Sequence, residues 1–179
     1  DGLLIICTGK FTKRIEEVQS QKKIYTGEMT LGCTTVSFDR ETEVNETFET
    51  SHITEDLLHE TRKTFEGNIM QKPPIFSALK REGKRLYLHA REGTNISIKA
   101  REVHIEKFEI TNINIPKIEF RVICSKGTYI RSLVNDFGRK LNCGAFLSKL
   151  RRTQIGNFKL KDAHTINNFQ EKILKRKIT

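Results

Sequence analysis

KIEFRVICSKGTYIRSL (residues 117–133) changes its hydrophobic period halfway along. Its first half alternates apolar and polar residues, the pattern of a strand with one buried face. From Ile130 onward the apolar residues Ile130, Leu133, Val134, Phe137 and Leu141 recur instead at i, i+3, i+4, i+7 and i+11, one face of a helix. The segment therefore reads as strand, turn and helix, with Gly127 making the turn and Thr128 capping the helix. Arg131 then lies in the first helical turn, where unpaired N–H groups and the helix dipole already favour negative charge. A cation in that position calls for an anionic partner.

On the N-terminal side, alternation also marks KKIYTGEMTLG (residues 22–32) and the long run over residues 95–115, which Pro116 ends. The run over residues 95–115 and the strand Lys117 to Cys124 after it, two long strands in succession, each polar on one face, indicate an antiparallel sheet. LLIIC (residues 3–7) reads as a short first strand and residues 10–20 as helix-compatible. The acidic connection TTVSFDRETEVNETFETS (residues 34–51) is strand-like only at its start. TEDLLHETRKTFEG (residues 54–67) has a cap in Thr54, acidic residues in its first turn and a stop in Gly67. Pro73 and Pro74 exclude a regular central strand from QKPPIFSALKREGKRLYLHAREG (residues 71–93), which is expected to turn at Gly83 and continue as a short basic helix. INNFQEKILKRK (residues 166–177) reads as a terminal helix running into a basic tail. The fold class is α+β, a mainly antiparallel sheet with helices packed on it.

The chain of 179 residues suffices for one core, and one domain is the expectation. No apolar run approaches the roughly 18 residues of a membrane span, and the start lacks the basic region of a signal peptide. Cys7, Cys33, Cys124 and Cys143 are too dispersed for a zinc site or a disulfide framework and read as reduced core thiols of a cytoplasmic protein. The five histidines likewise lack metal-ligand spacing.

The net charge of +10 is unevenly spread. Residues 1–71 hold 8 basic and 13 acidic side chains, residues 72–107 hold 9 and 4, and residues 108–179 hold 15 and 5. Such a gradient suits a polyanion lying across the middle and C-terminal parts, and equally a solvated basic face. KREGKR (residues 80–85) and LRR (residues 150–152) look like phosphate-contacting patches, though each in isolation is more often solvated. Tyr129 and Arg131 stand outside the apolar stripe of their helix, beside Lys126. From the residues alone, Arg131 is a functional group, a surface ion pair or an RNA phosphate contact. Tyr25, inside its strand, reads as a packed aromatic or a site residue.

KPPIFSALKREGKRLYLHAREG, CSKGTYIRSL and CGAFLSKLRRTQIGNF strongly resemble three ordered blocks of the bacterial tRNA pseudouridine synthase B family, and GLLIICTGKFTK and KKIYTGEMTLGCTT resemble two that precede them. The resemblance covers most of the chain. It implies the pseudouridine synthase fold and isomerisation of the T-loop uridine of tRNA, the Ψ of TΨC, without metal or organic cofactor. It further implies a catalytic aspartate paired with Arg131, Tyr25 stacking on a flipped base and removing a proton late in the reaction, Tyr129 lining the pocket and Leu150 closing its apolar wall. An RNA-binding thumb at about residues 71–100 is expected to offer Lys80, Lys84, Arg85 and Arg91 to the RNA backbone, with Lys13 and Arg151 as further contacts. The expected partner is the tRNA T stem-loop, with no membrane and no obligatory protein partner.

In the family the aspartate belongs to a block of the form G-T-L-D-P-x-A-T-G, whose last glycine matches Gly2. Asp1 then takes the place of the threonine, so the catalytic aspartate is expected ahead of residue 1 and residues 1–179 alone are expected to be inactive. Alternatively, Asp1 is that aspartate joined across missing residues. The stretch after the catalytic core holds a helix and a basic tail rather than the PUA domain that many relatives append. The competing reading is a tRNA-binding or tRNA-folding protein without catalysis. A guide-RNA-dependent relative is less favoured, because no flanking segments for protein partners are visible.

Overall fold

The computed structural model describes residues 1–77, 79–81, 83–91 and 97–176, with backbone alone for residues 80, 81, 84, 89–91 and 173–176. In chain order the elements are α1 (Ile15–Ser20), β1 (Lys23–Leu31), β2 (Cys33–Thr35), β3 (Val44–Thr47), α2 (Glu55–Lys63), β4 (Gly67–Gln71), β5 (Lys80–Arg81), β6 (Lys84–Arg85), α3 (Leu86–Arg91), β7 (Arg101–Asn114), β8 (Lys117–Cys124), α4 (Ile130–Lys140), β9 (Ala145–Ile155), β10 (Phe158–Lys159) and α5 (Ile166–Arg176). Six strands form one antiparallel sheet in the order β10-β9-β1-β8-β7-β4. The fold is α+β, as the alternation and helical periods predict.

One face of the sheet is covered by α4. Ile118, Phe120, Val122 and Cys124 all point to that face of β8, and the α4 stripe of Ile130, Leu133, Val134, Phe137 and Leu141 is buried against it. Phe108 meets Phe120 and Phe137 edge-on, with ring centroids 5.9 and 5.5 Å apart. Gly138 lets α4 touch the next strand: a Cβ there would lie 2.3 Å from the Ala145 backbone nitrogen. α2 begins as predicted, with Leu57 N–H donating to the Thr54 hydroxyl at 3.2 Å. Arg62 fixes it to the sheet by donating to the Phe108 carbonyl at 2.9 Å.

Four local readings change. Residues 3–7 do not form a strand: Leu3 alone among them bonds the sheet, its N–H donating to the Arg152 carbonyl at 2.8 Å and its carbonyl accepting from Arg152 Nε at 2.8 Å, and Leu4 and Ile6 remain exposed. The reason is competition for an edge, because β10 occupies β9 at Gln154 and Ile155, immediately beyond the point of contact. Residues 9–20 split into a 3-10 turn (Gly9–Arg14) followed by α1. Tyr129, not Thr128, is the N-cap of α4, while the Thr128 hydroxyl donates to the Ser125 carbonyl at 3.0 Å. The acidic connection folds back as the β2/β3 hairpin. Gly127 makes the predicted turn, with φ +83.

Candidate active site

Arg131 sits in the first turn of α4 with about a fifth of its side chain exposed. Its partner is Asp39, from the loop after β2: Nη1 donates to Asp39 Oδ2 at 3.0 Å. The same loop presents the Ser37 carbonyl at 3.4 Å. Nη2 donates in another direction, to the Phe76 carbonyl at 2.7 Å, in the segment after Pro73 and Pro74. The misplaced cation is thus neutralised by a carboxylate brought from far along the chain, and its planar fork spans two segments at once.

Asp39 is held from both sides. Its Oδ1 accepts from the Ser37 hydroxyl at 2.7 Å and from Glu41 N–H at 3.0 Å, which leaves Oδ2 for Arg131. The loop is stitched to β9 by Leu147 N–H, which donates to the Phe38 carbonyl at 2.9 Å. Phe38 adopts φ +64, and this backbone reversal brings Asp39 beside Leu147. A carboxylate with fixed donors next to a fixed guanidinium is a preorganised electrostatic site.

Asp39 and Arg131 line an open cleft of about 390 Å³. Leu147 and Leu150 of β9 give it an apolar side, and Asp1, Arg40, Glu41, Ser148 and Lys149 form the remainder. Leu150 lies opposite Gly27 in the sheet, where a Cβ would come 2.6 Å from the Phe120 ring. Alternation along β1 puts Tyr25 on the α4 face with Gly27 and Met29, packed against the core beside Val122 and Arg152. Burial pushes the Tyr25 hydroxyl pKa up, and the neighbouring Arg152 opposes that shift.

The other sequence-predicted residues are distributed differently. Tyr129 is half-buried at the start of α4, with the Arg101 guanidinium 5.0 Å above its ring, and neither it nor Tyr25 is among the residues that line the Arg131 cleft. Arg151 forms a bidentate pair with Asp1 at the rim, with distances of 3.0 and 2.9 Å. Lys13 is exposed in the 3-10 turn, and Arg85 is exposed on β6. Lys80 and Lys84 form opposite ends of the small β5/β6 pair and Arg91 ends α3, but their side chains lie outside the described residues. Asp39 is the residue sequence reasoning missed. Its only local signal is an aspartate next to Phe38 in an otherwise turn-like acidic stretch. Among the described residues no cluster of His, Cys, Asp and Glu is suited to hold a metal, and no helix is long and apolar enough to cross a membrane.

Two family models match in succession: the TruB family pseudouridylate synthase N-terminal domain over residues 1–130, and the tRNA pseudouridylate synthase B C-terminal domain over residues 131–178. The chain is 58% identical to a tRNA pseudouridine synthase B of Flavobacterium johnsoniae, across 96% of this chain and 75% of that protein. Identity to the tRNA pseudouridine synthase B of Phocaeicola vulgatus is 48%, across 95% and 72%. Among solved structures, a Cbf5-Nop10-Gar1 complex contains a chain that superposes with a TM-score of 0.64 at 30% identity, over 88% of this chain and 37% of the other.

Proposed function

Because this chain belongs to the TruB family of pseudouridine synthases, which convert tRNA uridine to pseudouridine, we propose that its target is the T stem-loop uridine and that the Arg131 cleft receives it. The observation that carries this reading is the Arg131–Asp39 pair beside the apolar side chains of Leu147 and Leu150. A flipped uracil is flat, has an apolar face and polar edges, and needs such a boundary between greasy wall and fixed charge.

The reaction breaks the N1–C1′ glycosidic bond, turns the uracil and rejoins it through C5, from which a proton then departs. No atoms are gained or lost overall. Arg131 supplies the fixed positive charge against which carboxylates at the cleft are oriented, and Asp39 is the one it already holds. Asp1 lines the same cleft, held there by its pair with Arg151. Tyr25 stacks on the extruded base and takes up the C5 proton late in the reaction, Leu150 closes the wall, and Tyr129 sets the start of α4. Lys80, Lys84, Arg85 and Arg91 grip the RNA backbone from the excursion between Gln71 and Arg101, with Lys13 and Arg151 as outer contacts.

The test is tritium release from C5 of a labelled T-arm uridine, with a matched RNA labelled only at another uridine as control. Release from the T-arm position alone is the expected outcome. Release from the other uridine with none from the T arm refutes the target assignment.

A further inference from the structure

Gln71 ends β4 and is fully buried. Its side chain does not pair within its own sheet. Nε2 donates to the Tyr129 carbonyl at 3.0 Å, and Oε1 accepts from Tyr129 N–H at 2.7 Å. The amide therefore bonds the backbone of one residue at both of its polar groups, as a neighbouring strand does. That residue is the N-cap of α4, and no side chain of the helix's own start caps it. The Tyr129 carbonyl is also the acceptor of the first helical hydrogen bond, from Leu133 N–H at 3.0 Å. Arg131 follows two residues later.

The opposite side of the same neck makes a parallel contact. Arg101 is the register partner of Gln71, where the chain returns from the excursion. Its guanidinium donates to the Gly127 carbonyl and lies over the Tyr129 ring. Both ends of the excursion thus grip residues 127–129. Two bonds return from α4, the Ser132 hydroxyl to the Lys72 carbonyl at 2.8 Å and Arg131 to the Phe76 carbonyl at 2.7 Å. The bonds form one closed circuit from neck to helix start to guanidinium and back to the excursion.

We propose that Gln71 is a positioning residue for Arg131: its side-chain amide fixes the start of α4 and so sets where the guanidinium stands relative to Asp39 and to the RNA-gripping excursion. The proposal rests on the functional reading of Arg131 given above. A packed side chain of equal size without the amide removes both bonds while leaving volume nearly unchanged, which makes Gln71→Met the informative variant.

Wild type, Gln71→Met, Arg131→Lys and the double variant are compared in full-length enzyme by single-turnover rate at saturating tRNA, tRNA Kd and thermal melting. Gln71→Met is expected to lower the rate by about tenfold or more while Kd moves less than about threefold and the protein stays folded at the assay temperature. In the Arg131→Lys background the same change is expected to cost less than about twofold, because the group it positions has gone. A wild-type rate in Gln71→Met, or losses that multiply in the double variant, overturns the proposal. A wild-type rate in Arg131→Lys removes instead the reading on which it rests. A direct readout needs no turnover: the Arg131 Nε–H signal in an NMR spectrum, identified by its loss in Arg131→Lys, is expected to shift in Gln71→Met, and an unmoved signal overturns the proposal.

Discussion

Arg131→Lys keeps the charge and discards the fork. The guanidinium donates from Nη1 to Asp39 and from Nη2 to the Phe76 carbonyl, two acceptors on separate segments. A single ammonium can serve one of them at good geometry, so at least one charge-assisted hydrogen bond is lost. Such a bond contributes about 1.5–3 kcal/mol in a partly buried setting. If it is fully expressed in the transition state, the chemical step slows by about 10-fold to about 150-fold. The tRNA contacts proposed above lie chiefly elsewhere, on the basic excursion, so on that reading affinity is expected to change by less than about threefold. Rapid-quench measurement of pseudouridine under single-turnover conditions, with filter binding on the same preparation, separates the two quantities. Equal losses in rate and affinity refute the argument and make Arg131 a phosphate contact.

Neutralising Lys84 and Arg85 together is expected to weaken tRNA binding and flatten the salt dependence of log Kd by a slope of about 1–2, with the saturating single-turnover rate unchanged; an unaltered slope places both cations away from the RNA. Gly138→Ala forces a Cβ to 2.3 Å from the Ala145 nitrogen and 2.4 Å from the Gly144 carbonyl carbon. Because both obstacles are backbone, Tm should fall by about 5–10 °C, and a loss under about 2 °C would show that α4 and β9 separate easily. Burial pushes the Cys124 thiol up to about 11 from an ordinary 9.0, so the folded protein keeps a proton that the unfolded chain releases. That contribution is fully present below about pH 9 and is lost as pH rises towards 11, on the order of 2–3 kcal/mol. Urea midpoints should decline across this window in wild type and decline less in Cys124→Ala; identical slopes would assign the effect to other groups.

What could be read from the chain was local. β8 and the apolar stripe of α4 stand where their periods put them, because period 2 and period 3.6 are properties of neighbours in sequence. Thr54 and Gly127 act through their own turns, and both were legible for the same reason. The need for an anion near Arg131 was also visible, since helix ends carry a known polarity. Which anion was not: Asp39 reaches Arg131 only through the Phe38 reversal and the Leu147 bond, neither of which leaves a periodic trace. Gln71 was invisible in the same way, a polar residue ending an edge strand whose partners lie beyond the basic excursion. Leu3 to Cys7 misled because its apolar run satisfies strand propensity, while the edge it needs is held by β10.

The position of β1 at the middle of the sheet has a consequence for biosynthesis. Lys23 is paired with Cys124 on one side and Ile155 on the other, so neither neighbour exists when β1 leaves the ribosome. At about 5–20 residues per second, the wait for both is on the order of ten seconds. During that interval Met29 and Leu31, fully enclosed in the finished fold, lack the two strands that flank them there. The strand that carries Tyr25 is therefore made well before both of its neighbours and is among the last to be enclosed, and the yield of folded protein depends on how well it is kept from premature pairing until β8 and β9 arrive.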